Sequence, residues 1–191
     1  MDALFGIFSA FGLSASAGLN AYIPLLVVGV IAHYTNWIKL SQPYDLLANP
    51  WILILVSVLL IVEMLADKIP AVNHINDIIQ TVFRPAAGAI VFAASAHAVT
   101  GVTPLLALAC GLLVAGSVHT VKAAAVRPAI TATTAGAGNV PVSIAEDVVA
   151  TVLSILSIII PLLVGVFLVI FVALIIWWFW RRAKRKRQAV P

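Results

Sequence analysis

Between Val148 and Trp180 the chain runs 33 residues without an Asp, Glu, Lys or Arg, and then delivers six basic residues in seven, Arg181-Arg-Ala-Lys-Arg-Lys-Arg187. As one helix that stretch is about 50 Å long, against a bilayer hydrocarbon thickness of about 30 Å. It predicts a membrane-crossing segment that is long and kinked near Pro161, where the backbone lacks a donor. Nothing polar marks a hairpin there. The rest of the chain agrees, being 63% hydrophobic and 9% charged with a mean hydropathy of +1.14. Soluble domains carry about 25% charged residues. An ordinary soluble globular protein is excluded, and so is a disordered chain. The 191 residues predict an all-α integral membrane protein, a bundle of about five to six transmembrane helices. They divide into one transmembrane domain, residues 1–180, and a basic tail, residues 181–191.

The net charge of +4 belongs to the tail. The body holds five basic residues (Lys39, Lys68, Arg84, Lys122 and Arg127) against seven acidic ones. The tail follows Trp177-Trp178-Phe179-Trp180 directly, and aromatics at the lipid interface followed by Lys and Arg mark a cytoplasmic end. We therefore expect a multi-pass protein of a bacterial cytoplasmic (inner) membrane with its C-terminus cytoplasmic. Its partners are the lipid bilayer and, at the tail, anionic lipid head groups; a homo-oligomer fits, and nucleic acid does not. The start of the chain, Met1-Asp-Ala-Leu-Phe5, lacks a basic leader, so the first segment is expected to be retained. Cys110 is the single cysteine.

Residues 3–32 form an apolar stretch interrupted by Gly12-Leu-Ser-Ala-Ser-Ala-Gly-Leu-Asn20 and Pro24, which predicts a broken or re-entrant first helix. A polar loop, residues 33–49, precedes a span opened by Asn49-Pro50. Residues 71–83 read as an amphipathic connector lying at the interface or capping the bundle. Spans rich in small residues follow, Ala86–Val99 and Leu105–Val118, separated by a turn at Thr100–Pro104. Ser143-Ile-Ala-Glu146 resembles a capping box, with serine as N-cap and glutamate three residues on. Arg84-Pro-Ala and Arg127-Pro-Ala echo one another, as do the segments ending at Asn20 and Asn139, which hints at internal duplication.

Counting five crossings (3–32, 50–67, 85–100, 104–119 and 144–180) gathers Glu63, Asp67, Lys68, Asp77, Arg84, His119, Lys122, Arg127, Glu146 and Asp147 at one membrane face. With the tail cytoplasmic, that face is extracytoplasmic. Ionisable residues so placed are expensive and mark a functional site or a set of committed ion pairs. Glu63 has two readings: an ion pair with Arg84 or Lys122, or a proton- or cation-coupling group. No metal or cofactor is expected. About 16 helical residues separate His97 from His119 by roughly 24 Å, and no Cys/His cluster, phosphate loop or nucleophile motif occurs. An enzyme is therefore not expected.

Several phrases stand in order: Phe11-Gly-Leu-Ser-Ala-Ser-Ala-Gly-Leu-Asn-Ala-Tyr22-Ile-Pro24, Glu63-x-x-Ala-Asp-Lys-Ile-Pro70, Asp77, Arg84-Pro-Ala-Ala-Gly88, His119-x-x-Lys122-Ala, Arg127 and Ser143-x-Ala-Glu-Asp147. Together they resemble the bacterial membrane-protein family called domain of unknown function 4126, over about residues 5–165. The resemblance implies a small polytopic inner-membrane protein. It marks Ser14, Asn20, Glu63, Asp67, Lys68, Asp77, Arg84, His119, Lys122, Arg127, Glu146 and Asp147. From the residues themselves, Ser14, Ser16 and Asn20 are candidate neutral ligands beside the broken helix. Arg84, Lys122 and Arg127 would attract an anionic group, and Glu63 or Asp67 would couple a proton or cation. A small transporter or channel-like protein is the expectation; the alternative is a non-transporting scaffold or assembly factor whose charges are structural ion pairs.

Overall fold

The computed structural model describes residues 2–68 and 70–188; the side chains of residues 2, 3, 70–74, 77, 97–100, 168, 171, 175, 176, 178, 179 and 182–188 lie outside that description. Among the described residues all regular structure is helical. Helix α1, Asp2–Leu19, is the central element and packs on α4 (Pro70–Thr100), α5 (Pro104–Val121), α7 (Asn139–Ile159) and α8 (Pro161–Gln188). Its middle is small enough for that position: Ala10, Ser14, Ser16 and Ala17 are fully buried. Small residues let helix backbones approach where lipid offers no hydrophobic drive.

The expected break in the first stretch falls at Asn20-Ala21, after which α2 covers Tyr22–Tyr34. Asn20 Oδ1 accepts from the backbone N–H groups of Tyr22 and Ile23 at 3.0 and 3.1 Å, capping the new helix. The chain reverses here. Phe5, Gly6 and Ser9 share a cavity with Trp37, Ile38 and Lys39, whereas one continuous helix would hold those groups about 45 Å apart. The stretch 3–32 is thus two antiparallel helices rather than one crossing, so the extracytoplasmic placement of the charged residues no longer follows from counting crossings.

Pro50 opens α3, Pro50–Ala66, in its first turn, and Asn49 Oδ1 accepts from Trp51 N–H at 2.9 Å, as the sequence indicated. The stretch 71–83 departs from expectation. It is the first half of α4 and runs through Pro85 into the span without a break. Its amphipathicity is inverted: Ile75, Ile78, Ile79, Val82 and Phe83 face outward, while Asn76, Gln80 and Arg84, spaced by four, are buried. Helix α7 repeats the arrangement, burying Ser143, Asp147, Ala150, Ser154 and Ser157 and exposing Val148, Val149, Val152 and Ile155. Apolar side chains outside and polar ones within suit a chain surrounded by lipid.

From Pro104 to Thr134 the helix is continuous, with α5, a wider turn at Lys122–Val126 and α6 (Arg127–Thr134) in line. The final apolar stretch is interrupted at Ile160, φ −134° and ψ 63°, between α7 and α8, directly before Pro161. Among the described residues, three segments are long and apolar enough to cross a membrane: Ile78–Ala96, Pro104–Thr134 and Asn139–Ile159. Shorter apolar helices cover Leu4–Leu19, Tyr22–Tyr34, Pro50–Ala66 and Pro161–Leu174.

Candidate functional site

The end of α3, the buried face of α4, the end of α5 and the start of α7 meet at the Asn20 break. Four acids (Glu63, Asp67, Glu146 and Asp147) and four bases (Lys68, Arg84, Lys122 and Arg127) assemble there, so their formal charges cancel. Arg84 is fully buried and Glu63 is 2% exposed. Arg84 Nη2 donates to Glu63 Oε1 at 2.9 Å, and its other terminal nitrogen stands 3.3 Å from His119 Nδ1. Thr81 Oγ1 holds the far ring nitrogen of His119 at 3.1 Å. Of the two readings of Glu63, the ion pair with Arg84 is therefore formed. A charge taken this far from water needs such a partner to remain charged.

Asp67 is held more completely. Asn76 Nδ2 donates to Oδ1 at 2.6 Å; Ser143 Oγ and Arg127 Nη2 donate to Oδ2 at 3.1 and 3.2 Å. Arg84 Nη2 stands 3.9 Å from the same oxygen. Glu146 takes Lys122 at 2.7 Å and Arg127 at 3.4 Å. That overturns the capping-box reading. Helix α7 begins at Asn139, four residues before Ser143, whose hydroxyl is spent on Asp67. The pattern matched locally, but the partner carboxylates and cations from other helices outcompete a cap.

The helix break contributes as well. Lys122 Nζ donates to Leu19 O at 3.1 Å, placing a cation on the carbonyl end of α1. Asn20 Nδ2 donates to Asp147 Oδ1 at 2.9 Å. Lys68 Nζ donates to Met64 O at 2.9 Å and stands 4.0 Å from Asp147 Oδ2. Buried atoms here that lack a hydrogen-bond partner among the described residues include Glu63 Oε2, Gln80 Oε1, Arg84 Nε and Asp147 Oδ2. Such atoms are uncommon in a folded interior.

Two candidates stand apart from the cluster. Ser14 Oγ donates to Gly111 O at 2.7 Å, and Ser16 Oγ bonds Ala150 O at 2.8 Å and Ser154 Oγ at 2.7 Å. These bonds fasten α1 to α5 and α7. Ser16 lies one turn along α1 from Asn20, on the α7 side. The side chain of Asp77 lies outside the described residues, as does that of His97. Residues that the sequence reading did not single out as a site are Asn76 and Gln80; the signal was their four-residue spacing to Arg84 on one helix face. Tyr22, buried at the start of α2, gave none. Among the described residues no three His, Cys, Asp or Glu side chains come together as a metal site.

The Arg-Pro echo has a geometric counterpart: Arg84 and Arg127, each followed by proline inside a continuous helical run, reach the same Asp67 oxygen. The echo between Asn20 and Asn139 has none, since Asn139 bonds Thr131 at the exposed end of α6. The profile of the family described as Domain of unknown function (DUF4126) matches residues 7–181. The chain belongs to that family, as the ordered phrases implied. No significant match to the chain exists among curated proteins or among solved structures.

Proposed function

We propose that the protein is a small membrane transporter or channel-like protein whose permeant engages the charged cluster at the α1–α2 break. One observation carries the reading. A largely buried, charge-balanced set of four acids and four bases sits where a discontinuous helix turns its last carbonyl and the next helix's first N–H groups toward the same place, with Glu63 Oε2, Gln80 Oε1 and Arg84 Nε unpartnered. Discontinuous helices of this kind supply backbone ligands in transporters. Arg84, Lys122 and Arg127 attract an anionic group, Asn20 offers a neutral ligand, and Glu63 or Asp67 couples a proton or cation. No covalent chemistry is assigned to the site. The protein resides in a bacterial inner membrane, with the basic tail cytoplasmic on anionic lipid.

The test is flux in proteoliposomes under an imposed proton or salt gradient. Glu63→Gln abolishes the pH-dependent component while the protein remains folded; unchanged flux overturns the coupling role. The second reading, a scaffold locked by ion pairs, is favoured by the Arg84–Glu63 contact, whose side chains are 0% and 1% exposed. It predicts no flux for any ion and equal loss of stability and expression in Glu63→Gln.

A further inference from the structure

Glu63 and Asp67 are four residues apart, on one face of α3 and its cap, yet their surroundings differ sharply. Asp67 receives hydrogen bonds from Asn76, Ser143 and Arg127, three donors that suit an ionised carboxylate. Glu63 receives one, from Arg84 on Oε1, and its Oε2 is buried with no donor. Gln80 Oε1 is a second buried acceptor with no donor. A proton on Glu63 Oε2 turns that orphaned acceptor into an O–H donor and removes the carboxylate's charge. Arg84 Nη2 is 2.9 Å from Glu63 Oε1 and 3.9 Å from Asp67 Oδ2, so a movement of about 1 Å exchanges its partner.

We infer that Glu63 is a proton-binding site in which the orphaned Oε2 carries the proton, and that Arg84 passes from Glu63 to Asp67 when that proton arrives. The inference rests on the transport reading for its use, but not for its test. The bookkeeping closes: the proton bonds to Oε2, Glu63 loses its charge, and the guanidinium finds its counter-charge on Asp67. Asp67, Arg84, Lys122 and Tyr22 act on Glu63 from α3, α4, the wide turn and α2, and His119 reaches it through Arg84. Lys122 remains occupied by Glu146 and Leu19 O in both states.

The experiment is pH-dependent infrared difference spectroscopy on the full chain in lipid nanodiscs. The wild type shows the carbonyl band of a protonated carboxylic acid that grows as pH falls. That band is lost in Glu63→Gln. The carboxylate band that disappears in Asp67→Asn moves in step with it in the wild type. Glu63→Asp, which keeps a carboxyl group, retains a displaced acid band and controls for misfolding of the glutamine variant. No acid band at any pH where the protein stays folded, or a band retained in Glu63→Gln, overturns the proton site. A stationary Asp67 band overturns the exchange. A titrating band without any flux leaves the proton site standing and removes the transport reading instead.

Discussion

Lys122 and Arg127 are five residues apart in one continuous helical run and nevertheless meet the same oxygen, Glu146 Oε2, at 2.7 and 3.4 Å. An α-helix would set them about 140° apart around its axis. The wide turn between them, in which Arg127 N–H bonds Lys122 O, spends one extra residue and returns both side chains to one side. Pro128 gives the physical cause. It has no N–H for Ala124 O, and its ring crowds that carbonyl in a regular helix. A local widening of this kind is frequent at functional sites.

Glu146→Leu leaves two buried cations short of a counter-charge and is expected to destabilise the fold by about 3 kcal/mol or more. Adding Lys122→Met removes one of those cations and recovers a substantial part of the loss. Denaturant unfolding in lipid–detergent micelles measures both; a double variant no better than Glu146→Leu alone would show the pair to be energetically unlinked.

Arg84 and Glu63 are expected to respond asymmetrically. Arg84→Met abandons Glu63 and removes a partner from His119, at a cost of about 3–5 kcal/mol. Glu63→Gln keeps an acceptor oxygen for Arg84, whose charge retains Asp67 at 3.9 Å, so its cost stays within about 1 kcal/mol. Thermal unfolding of the two variants side by side settles the order, and equal losses would favour the scaffold reading.

Asn20→Ala removes the cap of α2 and the bond to Asp147 together. The cap alone is worth about 1 kcal/mol, and an under-bonded buried carboxylate adds about 1–3 kcal/mol. Asn20→Asp restores the cap but sets a second carboxylate against Asp147, so it is expected to recover little. Hydrogen exchange should show amides of the first turn of α2 losing protection in Asn20→Ala before those of α3; simultaneous loss in both helices would contradict the capping role.

Gly88 and Gly111 let α4 and α5 pack closely against each other. A Cβ on Gly88 would lie 2.9 Å from Ser14 Oγ and 3.0 Å from Gly111 O, and would overlap Ala115 Cβ. Gly88→Val therefore pushes apart α1, α4 and α5, with an expected loss of about 3 kcal/mol or a failure to accumulate folded protein. Gly116→Ala meets nothing closer than 3.7 Å and is expected to be neutral, so the contrast between the two, read as yield of monodisperse protein, separates close packing from a general intolerance of glycine replacement.

Much of the cluster was legible because charge inside an apolar chain is conspicuous: Glu63, Asp67, Arg84, Lys122, Arg127, Glu146 and Asp147 all meet at one end, as their positions near helix ends implied. Ser14 and Ser16 were legible as polar residues in an apolar helix but not as helix fasteners, since a serine's partner is a carbonyl on another helix. The stretch 71–83 departs from its sequence pattern for an opposite reason. Its periodicity was right, but which face points inward depends on the solvent outside, and lipid reverses the rule that holds in water.

Composition and periodicity by themselves determined that this is a helical, apolar chain with a break near Asn20, an interruption near Pro161 and an expensive set of charges. These follow from local chemistry, from missing donors at proline and from the cost of charge in hydrocarbon. Only the tertiary structure decided that the first stretch reverses, that Arg84 holds Glu63 while three donors hold Asp67, and that Glu146 serves two cations rather than a cap. Those outcomes depend on which helices are neighbours and on differences of an ångström between competing partners.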